Sequence, residues 1–411
     1  MADVEVAEND GAGSYSLVRE QVNRDVVWLV SKLEETGHEA YVVGGAVRDL
    51  VLGLTPKDYD VATSASPEEV CQAFGRRRAR IIGRRFRIVH VRVRSRVYEV
   101  STFRREPTAE ERRGREDDDG VMLWRDNVFG TLEEDAFRRD FTINALYLDV
   151  TGDQGVIDYV GGLEDIRSGW VRMIGDENVR IPEDPVRNLR ALKLAGTYGF
   201  EVDSALKAAI PKYSELIQAS SRYRLFEELL KILMIPHSYA IFQLFSDYGF
   251  LDHFLPKVSA LWSSQTGQIL QKLLRGRDRR LANGGYTEAK TLALATLCFP
   301  YVASLLQEYE DLEDLWSLHD GLERTCREAV VEVLYPLTVP RFLSARVRDV
   351  ILLMPRFKIG RQPRRLQRHP EYKYARELFL LLVEVFGWDK ELADRWPSPP
   401  KSNSKRKRGR R

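Results

Sequence analysis

Apolar positions follow two patterns along this chain. Up to about residue 160 most of them alternate with polar residues or sit in short blocks; beyond it they recur at helical spacing. Near the start, Val18, Val22, Val26, Val27, Val30 and Leu33 already repeat at helical spacing and predict a helix ending near Gly37. The block Tyr41-Val42-Val43 predicts a strand running into Gly44-Gly45. A short amphipathic segment closed by Gly53 follows, then an extended return through Lys57-Asp58-Tyr59-Asp60. Ser66 ahead of Pro67 reads as a helix cap and first helical position. Within Ile81 to Val93, the residues Val89, Val91 and Val93 alternate with His90, Arg92 and Arg94, as in a half-buried strand, and Val97 to Arg104 predicts another. Leu146 to Val150 and Val156 to Tyr159 read as a hairpin around Thr151-Gly152-Asp153, and Gly161-Gly162 as a hinge. After it the strand signals stop. Glu183 to Arg190 opens a helix with Pro185 in its first turn. Tyr223 to Leu230 and Ile241 to Leu251 carry amphipathic stripes suited to a core.

At 411 residues the chain is long enough for two or three domains, on a prior of about 150 residues each. The predicted division is a disordered N-terminus over 1–14, a head over 15–160, a helical neck over 161–260, a helical body over 261–396 and a basic tail over 397–411. Residues 105–120 are dense in charge without apolar periodicity and read as a mobile loop. The net charge of +2 conceals an acidic beginning (Asp3, Glu5, Glu8, Asp10) and a basic end. That end, Lys405 to Arg411, suits a nucleic-acid contact, a nuclear address or a solubilising tail. Cys71, Cys298 and Cys326 are too few and too scattered for a disulfide framework or zinc cluster, which points to a reducing compartment. No apolar run reaches the length of a membrane span, and no signal-peptide core opens the chain. The expected location is intracellular, cytoplasmic or nuclear, with an organelle left open.

Chemistry concentrates between Tyr41 and Asp60. Alone, a Gly-Gly pair is a turn and an Asp-x-Asp a solvated strand end. In the order strand, Gly44-Gly45, Arg48-Asp49, Asp58-x-Asp60 they form a continuous nucleotide-site layout. The glycines admit a phosphate close to the backbone. Carboxylates two apart on a strand share a face roughly 6–7 Å from one another and suit a pair of divalent ions. Glu99 on a neighbouring strand is a third candidate carboxylate.

This segment resembles the signature of the class II nucleotidyltransferases, the bacterial poly(A) polymerases and tRNA CCA-adding enzymes. Arg138-Arg139-Asp140 through Asn144-Ala145 matches the family's ribose-recognition motif, and Glu183-Asp184-Pro185-Val186-Arg187 its protein template for the incoming base. An Asp accepting from an exocyclic amine and an Arg donating to the ring nitrogen would take adenine or cytosine and refuse guanine or uracil. The resemblance implies an α+β protein. A polymerase-β-like head, a small mixed sheet with helices, would precede an all-helical C-terminal half. It implies Asp58 and Asp60 as metal ligands, with Glu99 assisting in catalysis. It further implies Gly44, Gly45, Arg48 and Asp49 at the triphosphate, Arg139, Asp140 and Asn144 at the ribose, and Asp184, Arg187 and Arg190 at the base. Mg2+ or Mn2+ is the implied cofactor, ATP the substrate and an RNA 3′ end the partner.

Ile82-Gly83-Arg84-Arg85-Phe86-Arg87-Ile88-Val89-His90-Val91 resembles the string that marks the poly(A) branch, so addition of AMP to RNA is the expected reaction. CCA addition is the near alternative, and a non-catalytic RNA-binding relative or a small-molecule nucleotidyltransferase the more distant ones. Arg84, Arg85, Arg87, Arg361, Arg364 and Arg365 are candidate RNA contacts, beside Lys358 and Arg368. The chain departs from the family at Ile181-Pro182, where an aromatic or basic pair is usual, and at Lys193-Leu194, where Arg-Phe is usual. Lys193 keeps the charge without the planar fork.

Overall fold

The computed structural model describes residues 20–83, 87–106, 128–307, 319–359 and 363–399. The chain forms two compact units, Met1–Arg180 with Gly199–Lys207, and Ile181–Tyr198 with Ala208–Arg411.

Seven strands of the first unit make one sheet. They are β1 (Ala40–Val43), β2 (Asp60–Thr63), β3 (Ala79–Ile82), β4 (Ile88–Val93), β5 (Arg96–Thr102), β6 (Leu146–Leu148) and β7 (Val156–Asp158), in the order β3-β4-β5-β2-β1-β6-β7. Only β2 and β5 run parallel, so the sheet is mixed. Helix α1 (Arg24–Glu34) packs on β1 and buries Val26, Leu29, Val30 and Leu33 completely. Each such side chain stabilises the fold by about 1.5–3 kcal/mol. The helix begins at Arg24, where the Asn23 side chain accepts the Asp25 N–H and caps it; Val18 lies outside the described residues. Helix α2 (Gly45–Val51) follows β1 directly, and α3 (Pro67–Phe74) opens with the expected Ser66 cap, completed by Glu69 into a capping box. Helix α4 (Leu132–Phe137) sets Leu132 and Ala136 into a core with Val43, Ala62, Phe103 and Tyr147.

Several elements differ from the expectation. The segment from Ile81 to Val91 is split between β3 and β4, an antiparallel pair, and Gly83 after β3 takes a φ of 84°. Asp58 lies in the irregular segment ahead of β2, so only Asp60 is on the strand. Gly161-Gly162 opens a packed helix, α5 (Gly162–Ser168), and the first unit continues past it to Arg180. A two-stranded parallel sheet, β8 (Trp170–Val171) with β9 (Glu201–Val202), follows the point where strand signals end; two residues are too few to show a period. The helix foreseen from Glu183 is broken there. Helix α6 (Glu177–Glu183) ends, Asp184-Pro185 intervenes, and α7 (Val186–Tyr198) begins.

The second unit is helical. Helix α8 (Arg222–Leu233) and α9 (Ser238–Asp247) carry the expected stripes, followed by α10 (Gln265–Ala282), α11 (Lys290–Gln307), α12 (His319–Leu334) and α13 (Arg341–Leu352). A buried pair fastens α10 to the start of α9: Arg277 donates to Asp278 at 2.6 Å, while Ser238 Oγ and Tyr239 N–H donate to the same carboxylate. Among the described residues no helix is long and apolar enough to cross a membrane. The expected mobile loop lies mostly, and the N-terminal and tail segments lie almost entirely, outside the described residues.

Candidate active site

The C-terminal end of β1 and the N-terminal end of β2 meet because the two strands are antiparallel, with Val43 opposite Asp60. Parallel pairing with β5 then places Glu99 opposite Asp60. One row across three strands thus carries the entrance to the Gly44 turn and both carboxylates. Gly44 has φ 75° and ψ −132°, a conformation that favours glycine, and it caps α2. A side chain there would sit 3.7 Å from Arg139 Nη1 and 3.6 Å from the Asn144 carbonyl, so the turn borders two of the three candidate ribose residues.

Arg139 is held from behind. Asp135, almost wholly buried, accepts from Arg139 Nε and Nη2 at 3.1 and 2.8 Å, from Arg138 Nε at 3.2 Å and from the Tyr147 hydroxyl at 2.7 Å. Tyr147 also accepts from Arg139 Nε at 2.9 Å, and the guanidinium lies 5.1 Å from its ring centre. Burial alone would raise the Asp135 pKa; the two arginines and the tyrosine outweigh it and hold it below the usual carboxylate range. Arg48, also buried, donates to Asp49 at 2.8 Å and to Asn144 Oδ1, tying α2 to the turn that precedes β6. Asp140 accepts the Phe141 N–H at 2.9 Å, and Arg180 braces the same loop by donating to the Arg138 and Arg139 carbonyls.

Asp60 is exposed by surface area, yet protein crowds its carboxyl, and its pKa is pushed up to about 6. Burial contributes most, then the charge of Glu99; Arg139 pulls the other way, and Asp58 adds a smaller push. Glu99 also lies 3.5 Å from His90 Nε2. The Arg139 charge offsets this crowding only in part, and hard oxygen donors suit Mg2+. Among the described residues no three His, Cys, Asp or Glu side chains converge into a ready-made cage. Mg2+ characteristically takes one or two carboxylates plus substrate phosphates, and the pair here fits that mode.

The candidate base-recognition residues Asp184, Arg187 and Arg190 belong to the second unit. Both oxygens of Asp184 accept from Arg224, at 2.9 and 2.7 Å, and Oδ1 also receives the Val186 N–H. Burial would raise the Asp184 pKa, but Arg224, with Arg190 and Arg187, outweighs it and holds the carboxylate below its ordinary range. Arg187 reaches Glu183 at 3.5 Å. Lys193 lies 3.9 Å from the buried Glu228, which also accepts from Lys231 at 2.7 Å. Arg87 forms an ion pair with Glu68, and Arg364 and Arg365 are exposed; Arg84, Arg85 and Arg361 lie outside the described residues.

Sequence reasoning passed over Asp135, Tyr147, Arg180 and the Asp184–Arg224 pairing. Asp135 was detectable, since Arg138 and Arg139 follow it at the i+3 and i+4 spacing of helical ion pairs. Arg224 lies 40 residues from Asp184, and no local pattern links them.

A family model for the poly A polymerase head domain matches residues 40–172 and therefore contains every one of these head residues except Arg180. A second, for the probable RNA and SrmB-binding site of polymerase A, matches residues 199–261. Poly(A) polymerase I of Escherichia coli O157:H7 is 34% identical over 379 residues, 90% of this chain and 80% of that protein. The chain belongs to the class II nucleotidyltransferase family of bacterial poly(A) polymerases and CCA-adding enzymes. Like other members of this family it is a nucleotidyltransferase, with the α+β head and helical C-terminal half expected of it. The CCA-adding enzyme of Lactobacillus helveticus is 37% identical over 219 residues, which is 53% of this chain and 52% of that one. The crystal structure of the Bacillus stearothermophilus CCA-adding enzyme in complex with CTP shares the fold. It superposes with a TM-score of 0.63 at 24% identity, over 90% of this chain and 81% of the other.

Proposed function

We propose that this chain is a template-independent RNA nucleotidyltransferase that adds AMP from ATP to RNA 3′ ends. The reach of its likeness carries this reading. At 34% identity poly(A) polymerase I matches 90% of the chain, whereas the higher identity to a CCA-adding enzyme covers only 53%. Similarity over nine-tenths of the chain takes in the helical half as well as the head, and so supports a shared way of handling RNA beside a shared chemistry.

The RNA 3′-OH attacks the α-phosphorus of ATP. A new phosphodiester bond forms, the bond to the β-phosphate oxygen breaks, the hydroxyl proton is lost and pyrophosphate leaves. Two bound Mg2+ ions would stabilise the attacking and leaving oxygens of such an in-line displacement. Asp58 and Asp60 would hold them, with Glu99 supporting from the adjacent strand. The Gly44-Gly45 turn and Arg48 cradle the triphosphate, and Asp49 and Asn144 hold Arg48 in place for that task. Arg139, fixed by Asp135 and Tyr147, and Asp140 address the ribose and the adjoining phosphate. Asp184, clamped by Arg224, keeps lone pairs for the amino group of adenine, and Arg187 donates to its ring nitrogen. Arg190 lends positive charge beside them.

The test is primer extension with purified protein, Mg2+ and each nucleoside triphosphate separately, on a generic oligoribonucleotide and on a tRNA lacking its 3′ CCA. The expected outcome is a long ladder with ATP alone on the generic RNA, lost in Asp60→Ala. Stepwise CTP then ATP addition confined to the tRNA would replace this reading with CCA addition.

A further inference from the structure

Isolated exposed apolar residues are ordinary on any protein surface. In the second unit, however, several large ones gather where helices α8, α12 and α13 meet. Tyr335 directly follows α12 and is 58% exposed; Val331, four residues earlier, is 60% exposed; Phe342, in the first turn of α13, is 67% exposed. Tyr223, in the first turn of α8, is 59% exposed. The helices are joined at this corner. The Arg222 guanidinium lies 6.0 Å from the Tyr335 ring centre, and the Thr338 N–H donates to the Arg222 carbonyl at 3.5 Å. Arg222 and Arg341 are both exposed, and among the described residues neither has a carboxylate partner. The nearby acid Glu332 is already taken up by Lys257 at 2.6 Å and by the Tyr301 hydroxyl. Arg224, two residues beyond Arg222, is the residue that clamps Asp184.

We infer that this corner is a stacking platform for single-stranded RNA. Bases near the 3′ end would lie on Tyr335, Phe342 and Tyr223, with Arg222 and Arg341 against the phosphates. Exposed rings interleaved with uncompensated guanidinium groups are what a single strand needs, because every base has a π-face and every linkage a charge. The inference rests on the adenylyltransferase reading in one respect. An enzyme whose product is its next primer must hold the strand without reading it, and stacking is sequence-tolerant while hydrogen-bond readout is not. Tyr335, Phe342 and Arg341 lie outside the segment that matches the probable RNA-binding model.

The experiment measures binding apart from catalysis. A 5′-labelled twelve-nucleotide oligoadenylate is titrated by fluorescence anisotropy into the full chain and into Tyr335→Ala, Phe342→Ala, Tyr335→Phe and Arg222→Ala. Steady-state primer extension runs in parallel. Each alanine variant at a ring should weaken binding and raise the primer KM by about 5–150-fold, the scale of one lost base stack. The KM for ATP should stay within about twofold, and Tyr335→Phe should retain wild-type affinity. Arg222→Ala should lower the salt slope of binding by about 0.7. An oligonucleotide with abasic residues at the stacked positions should erase the difference between wild type and Tyr335→Ala. Unchanged oligonucleotide affinity in the well-folded alanine variants would overturn the inference and leave the corner to a protein partner. Absence of extension by the wild-type chain would sink the adenylyltransferase reading alone, because the anisotropy comparison does not depend on turnover.

Discussion

Asp60 shows how one residue can carry a site's cost. Its folded-state pKa of about 6 lies above the ordinary 3.8, so the folded chain binds this proton more tightly than the unfolded one. Between those two values the unfolded state loses the proton first, and stability falls as pH rises; above about 6 the whole penalty is present. With its solvent exposure discounted, the penalty is about 1 kcal/mol at most. Asp60→Asn removes it. In chelator at pH 7.5 the variant is expected to melt about 2–4 °C above wild type, to lose that advantage near pH 4, and to have no extension activity. A lower Tm at pH 7.5 would mean that the carboxylate is stabilised in the fold. The same proton competes with a divalent ion, so metal affinity should weaken as pH drops below about 6. None of this was legible from the Asp-x-Asp string, because the Glu99 charge that raises the pKa and the Arg139 charge that opposes it are brought in by other elements.

At the scale of elements, local chemistry was read well where it was self-contained. The Ser66 cap, the β1-to-Gly44 turn and the β6–β7 pair all formed where spacing placed them. Misses came where a distant partner decides. The division of Ile81–Val91 between two strands depends on pairing, and the break at Asp184-Pro185 combines a missing N–H with a carboxylate drawn to Arg224. Helix crossings are equally hidden. On α7, a Cβ at Gly196 would lie 2.7 Å from Ile241 Cγ1 and 3.0 Å from the Ile241 backbone on α9. Gly196→Ala should therefore force these helices apart and destabilise the second unit by about 1–3 kcal/mol, despite the better helix propensity of alanine. Chemical denaturation checks this, and a stabilised variant would show that the crossing can relax without loss.

For the molecule as a whole, the net charge of +2 is too small to draw RNA by itself, so affinity must come from local basic surfaces. The expected slope of log binding constant against log salt is shallow, about −2 to −4, corresponding to a few phosphate contacts. Replacing Arg364 and Arg365 together by alanine should flatten it by about 1.4. A slope unchanged in that double variant would remove this cluster from the RNA surface.

The sequence by itself determined the chemistry on offer. Gly44-Gly45, Asp58 and Asp60, Arg139-Asp140 and Asp184 with Arg187 are short strings whose residue types suit the proposed contacts with phosphate, metal, ribose and base. The alternating and helical periods likewise pointed to strands up to about residue 160 and a helical remainder, and the family resemblance implied the mixed sheet of the head. Tertiary structure alone decided which carboxylate is crowded, that Asp135 and Tyr147 fix Arg139, that Arg224 clamps Asp184, and that aromatic and cationic residues from three helices share one corner. The physical reason is common to all of these. Backbone propensity and hydrophobic period act between residues a few positions apart, whereas a pKa, a clamp or a stacking surface is set by groups whose separation along the chain carries no signal of their distance in space.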